Sequence, residues 1–151
     1  MKSLPIALFL LIRCFPSNAQ NDNYAFIQLY QLDSIGHSPS ISHHFGNLYF
    51  HFLQLVEKRL EIADTATRRL VRNFEAVFAQ FYIDACVAYS SRYQVPLPAW
   101  RAYFTDSTLE SYQYHLLGAN AHLNGGLAEA IAGSYSLADW GRVKKKYGLF
   151  N

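Results

Sequence analysis

Apolar residues along this chain recur at intervals of three and four, the spacing of one helix face, and long apolar/polar alternation of the strand type is missing. The pattern predicts an all-α fold. A short first helix is expected over Tyr24 to Asp33, stopping at Gly36, followed by the loop GHSPS in which Pro39 favours the start of the next helix. The second helix, about Ile41 to Ile62, carries Phe45, Leu48, Tyr49, Phe52, Val56 and Leu60 on one face. Asp64 stands where an N-cap is wanted for a third helix reaching about Tyr93, with the stripe Leu70, Phe74, Val77, Phe78, Phe81, Ala85 and Ala88. Val95-Pro96-Leu97-Pro98 breaks that helix, and Pro98 opens a short one through Trp100 and Phe104. Asp106 or Ser107 then caps a long helix over about 107–132, and Ser136 with Asp139, at capping-box spacing, predicts a last helix to about Tyr147. The expected architecture is a single-domain bundle of about five helices, its 107–132 helix packed centrally against the helix over 65–93.

Residues 1–19 read differently. Lys2 gives a positive start, Leu4 to Ile12 form a short apolar run, and Ser17-Asn18-Ala19 supplies small residues for a signal peptidase. The expectation is an export signal cleaved before Gln20, leaving 20–151 as one helical domain placed in the periplasm or secreted. No later segment is apolar enough to span a bilayer, so the mature chain is expected to be soluble. Removal of the signal takes away Lys2, Arg13 and Cys14. It leaves 11 basic residues (13 minus 2) against 11 acidic ones, hence no electrostatic footprint for nucleic acid, and the KKK run at 144–146 reads as a solvated helix face. A lone Cys86 within FYIDACVAY is expected to be a small buried apolar group.

The stretch His115 to Leu127, HLLGANAHLNGGL, breaks the helical pattern by placing two histidines, two asparagines and three glycines in an apolar helix. At about 100° per residue, Leu116, Leu123 and Leu127 fall with Tyr112 on the expected core stripe. His115 and His122 share a second face with Ser111, Gly118, Ala119, Gly126 and Glu129. Interior glycine costs a helix about 1 kcal/mol relative to alanine, so this face calls for close packing or chemistry. Asn120 and Asn124, one turn apart, need hydrogen-bond partners wherever they are buried. A metal site is not expected, because residues seven apart lie about 10 Å apart along the axis. His43, His44 and His51 form further histidine positions on the second helix, and Glu75 and Asp84 on the third are possible carboxylate partners.

NAHLNGGL at Asn120 to Leu127 resembles the N-A-H-I-N-x-D-L signature of the domain of unknown function 5995 family. FEAVFAQFYIDA over 74–85, PLPAWRAYF ending at Phe104, and HLLGANAH over 115–122 are similar to that family's motifs in the same order. The resemblance implies a helical fold and no established activity. Gly126 stands where the family pattern has aspartate, and Glu129 is the nearest carboxylate on the same face. HLLGANAH is also similar to the H-x-x-G-D-x-H element of exported zinc phospholipases and nucleases. Its histidines are one residue too far apart, and the aspartate and following histidine are missing, which argues against a multinuclear zinc centre.

Serine-nucleophile, phosphate-loop, dinucleotide and paired CxxC motifs are missing, so the sequence assigns no cofactor and no enzyme class. Two functional expectations follow. In one, His115, Asn120, His122, Asn124 and Glu129 form a polar network or small-ligand site of a helical binding or scaffold domain, the partner being a small molecule or a protein. In the other, His122, helped by His115 and oriented by Asn120 or Asn124, is the general acid or base of a hydrolase, with or without a metal ion.

Overall fold

The computed structural model describes residues 21–135 apart from 39, 96, 106 and 107, and there the chain forms five helices and no strand. They are α1 (Asn21–Gly36), α2 (Ser42–Leu60), α3 (Thr65–Ser90), α4 (Pro98–Thr105) and α5 (Ser111–Ser134). The expected signal segment and the expected helix from Ser136 lie outside the described residues.

Local chemistry sets the helix ends. Asp64 caps α3 as expected, its carboxylate accepting from the Thr67 backbone N–H at 2.8 Å. The same helix ends at Ser90 rather than Tyr93. Arg92 turns into the left-handed region (φ 59°), and the Arg92 and Tyr93 N–H groups bond back to the Tyr89 and Ala88 carbonyls. Pro98 begins α4. The start of α5 departs from expectation: Asp106 and Ser107 lie outside the described residues, and Glu110 is the cap. Glu110 and Gln113 form a reciprocal capping box, with the Glu110 N–H donating to Gln113 Oε1 at 2.8 Å. At α2 the cap position is Ile41, which offers no side-chain acceptor. The Tyr103 hydroxyl from α4 is inserted there instead, donating to the Ile41 carbonyl at 2.8 Å and accepting from the Phe45 N–H at 3.3 Å. Tyr82 from α3 donates to the neighbouring Ser42 carbonyl.

α1 packs on α2 and α3, while α5 packs on α3, on α4 and, over a shorter stretch, on α2. The central contact between α3 and α5 is the one the sequence predicts. The core is strongly aromatic: Trp100, Tyr82, Tyr103 and Tyr114 are its largest fully buried side chains. Cys86 is buried among them as expected, and burial pushes its thiol up to about 12, so it has no thiolate character at neutral pH.

The expected core stripe of α5 is overturned. Tyr112, Leu116 and Leu123 are 62, 67 and 56 % exposed, whereas Tyr114, Gly118, Ala121, His122, Gly126 and Ala130 are buried. The small-residue face is the inner face. The reason is crowding, because each glycine of the motif meets a different helix. A Cβ at Gly118 would come within 2.4 Å of the Phe45 ring on α2, one at Gly125 within 3.0 Å of Ala99 on α4, and one at Gly126 within 3.2 Å of Phe81 on α3. Three helices approach α5 too closely for leucine, and the leucines are turned outward. A milder correction applies to α2, where Phe45, Tyr49 and Leu60 are buried as expected but Leu48 and Phe52 are about half exposed.

Candidate functional site

The inner face of α5 carries one polar side chain into the core, His122. It is 6 % exposed and lies among aromatic rings from three other helices. Its imidazole stacks on Phe78 of α3 (centroids 3.5 Å apart, planes at 20°) and meets Tyr49 of α2 at 4.4 Å, with Phe45 at 5.4 Å and Trp100 of α4 at 6.2 Å. Among the described residues neither ring nitrogen has a hydrogen-bond partner, and the Trp100 indole N–H shares that condition. Burial alone holds the imidazole down to about 3, so His122 is neutral at physiological pH.

Tyr49 links this cage to a carboxyl. Its hydroxyl donates to Glu75 Oε2 at 3.3 Å, and burial raises Glu75 to about 7 and Tyr49 well above the ordinary phenol value. Beside Glu75 lies a small cavity between α1, α2 and α3, lined by Leu29, Leu53, Val56 and Ala76 and bordered by the Arg72 to Glu57 ion pair at 2.7 Å. Glu75 therefore has a tyrosine rather than a histidine as partner. Asp84 is exposed on α3 and accepts from Gln80 Nε2 at 2.8 Å.

The other expected site residues are placed apart from His122. Asn120 and Asn124 are exposed on the outer side of α5 and bond each other at 2.8 Å, Asn124 Nδ2 donating to Asn120 Oδ1. Glu129 is exposed. His115 is half-buried at the start of α5, beside His44 of α2. His51 is exposed, within 3.1 Å of Gln54 Oε1. Among the described residues, no group of three or more His, Cys, Asp or Glu side chains is placed to hold a metal ion. No described helix is long and apolar enough to cross a membrane.

The sequence gives no hint of the Trp100 indole or of the aromatic cage as a unit. The nearest signal is that Phe45, Tyr49 and Phe78 stand on the predicted inner stripes of α2 and α3, which are the faces any polar group on α5 must meet.

A family model described as a family of unknown function, DUF5995, matches residues 29–147. The chain belongs to the DUF5995 family. The matched span contains α2 to α5 complete, together with the His122 cage and Glu75. No curated protein and no solved structure matches the chain.

Proposed function

We propose that this DUF5995 chain is an exported, non-catalytic helical binding module that docks a protein partner along the outward apolar stripes of α5 and α2. The observation that carries the reading is the exposure of Tyr112, Leu116 and Leu123 on α5. On α2 a second stripe, Leu48, Phe52 and Leu55, is similarly exposed, at 45, 51 and 65 %. Grouped exposed apolar side chains mark interaction surfaces, and the middle of such surfaces is poor in charge. Within 111–134 the only formal charge is Glu129, and the amide pair Asn120 and Asn124 borders the leucines. His122 belongs to the interior of this module. The alternative, a hydrolase using His122 as acid or base, asks a substrate to reach an imidazole packed under Phe78 and Tyr49 and reluctant to take a proton.

A Leu116→Glu, Leu123→Glu chain is expected to melt within about 0.5 kcal/mol of the native one, as exposed substitutions do. A photo-crosslinking residue at position 116 should give a discrete protein adduct in the producing cells, and one at Asp84 should give none. A loss of several kcal/mol in the double variant, or no adduct at 116, contradicts the reading.

Export rests on residues 1–19, with 20–151 as the mature domain. N-terminal sequencing of exported material is expected to begin at Gln20, and a mature chain that retains Lys2 would refute it.

A further inference from the structure

A second polar cluster lies where α2 and α5 begin. The His43 and His44 rings are 3.8 Å apart, and the His44 and His115 rings 6.2 Å apart, edge to face. His44 bridges the two helices. Its ring lies flat on Tyr114 (4.7 Å, planes at 4°), and its Nδ1 is hydrogen-bonded to Ser111 Oγ at 3.1 Å. His43 Nδ1 donates to the Ser40 carbonyl at 2.7 Å, leaving its Nε2 as the acceptor nitrogen of the neutral ring.

We infer that His43, His44 and His115 form a pH-sensitive clasp, in which neutral imidazoles hold the opening turns of α2 and α5 together and protonation pushes them apart. Like charges at these separations repel, and the positive end of each helix dipole adds to the penalty for a cation there. The charged and titratable groups described on the packed helices beside these histidines have other partners. On α5, Glu110 is turned into its own capping box with Gln113. On α1, Asp33 lies 3.4 Å from His37. The Tyr82 hydroxyl of α3 and the Tyr103 hydroxyl of α4 donate to the Ser42 and Ile41 carbonyls.

Burial, then the charges of His43 and His115, lower His44 from its ordinary 6.5, so the clasp is closed at neutral pH. A base whose proton affinity is lowered by folding contributes stability that is present above 6.5 and lost as pH falls below it. The opening is local. Tyr49, Leu53 and Leu60, buried farther along α2, keep the rest of that helix in the core, while the Tyr103 hydroxyl's bonds at Ile41 and Phe45 are among those the opening must break.

The test is hydrogen exchange at pH 7.5 and 5.0, corrected for intrinsic rates, in a His122→Leu chain, which removes the interior imidazole's own response to acid. Protection over 42–48 and 111–117 is expected to fall at least tenfold at pH 5.0 while that of α3 does not fall. A further His44→Phe substitution, which keeps a ring on Tyr114 without the charge, should abolish the fall. Should either variant fail to fold, an imidazole NMR titration of the native chain replaces the exchange test. His44 is then expected to titrate below 6.5, moving the Tyr114 ring resonances with it. Protection unchanged at pH 5.0, protection lost evenly across all helices, or a Tyr114 ring indifferent to His44 would overturn the clasp.

Discussion

A His122→Leu chain is expected to be more stable than the native protein by about 1 kcal/mol at pH 7.5 and by about 3 kcal/mol more at pH 4. The neutral-pH gain comes from removing two buried nitrogens without partners, worth about 1 to 3 kcal/mol, less the lost ring stacking of about 0.5 to 1.5. The acid gain comes from linkage. The His122 imidazole is held at about 3 in the fold against an ordinary 6.5, so between these values the unfolded chain binds the extra proton. Each pH unit below 6.5 then costs the native fold about 1.4 kcal/mol, or about 3 kcal/mol at pH 4. Glu75 acts in the opposite sense. Its carboxyl is raised from 4.5 to about 7, so its contribution is present below 4.5 and lost as pH rises to 7. The two slopes offset each other between 4.5 and 6.5. In a His44→Phe chain, free of the clasp's own loss below 6.5, stability should therefore be nearly flat there, dropping below pH 4.5. In His122→Leu it should keep rising toward acid, and in Glu75→Gln it should fall from 6.5 downward. Melting curves from pH 4 to 8 separate these shapes; a His44→Phe chain whose stability climbs steadily from 4.5 to 6.5 would show that the pair is not balanced.

Gly118→Ala is expected to destabilise the domain although alanine is the better helix former. The new methyl would sit 2.4 Å from Phe45 Cγ and 2.6 Å from its Cβ, inside a buried ring that has no free direction. Overpacking of this kind costs about 1 to 3 kcal/mol or more, against a gain of about 1 from helix propensity. Gly118→Leu should cost still more. A compensating Phe45→Leu change in the alanine variant should restore part of the loss, giving a favourable coupling in a double-mutant cycle. A stabilised Gly118→Ala chain would mean that α2 does not approach α5 at this point.

These two residues also show what the sequence makes legible. Helix ends follow local chemistry, so Asp64 and Pro98 are readable, while the Glu110 cap is missed because serine and aspartate outrank glutamate as caps. The close packing of the HLLGANAHLNGGL helix is readable too, since glycines inside a helix demand a reason. The inner face is not. Ranking faces by hydrophobicity selects Tyr112, Leu116 and Leu123, yet the inner face of α5 is decided by how closely α2, α3 and α4 approach it, and close approach selects glycine and alanine. The same long-range packing separates Asn120 and Asn124 from His122 and joins His115 to His44, a residue 71 positions away in the chain (115 minus 44). No spacing rule within one helix contains that information.

His122 of α5 is sealed inside the bundle, and its imidazole reports on that directly. In a nitrogen and proton NMR titration of the native chain from pH 7.5 to 4.5, His122 is expected to remain a single neutral tautomer throughout. An imidazole that titrates between 6 and 7, as a solvent-exposed histidine does, would contradict the account.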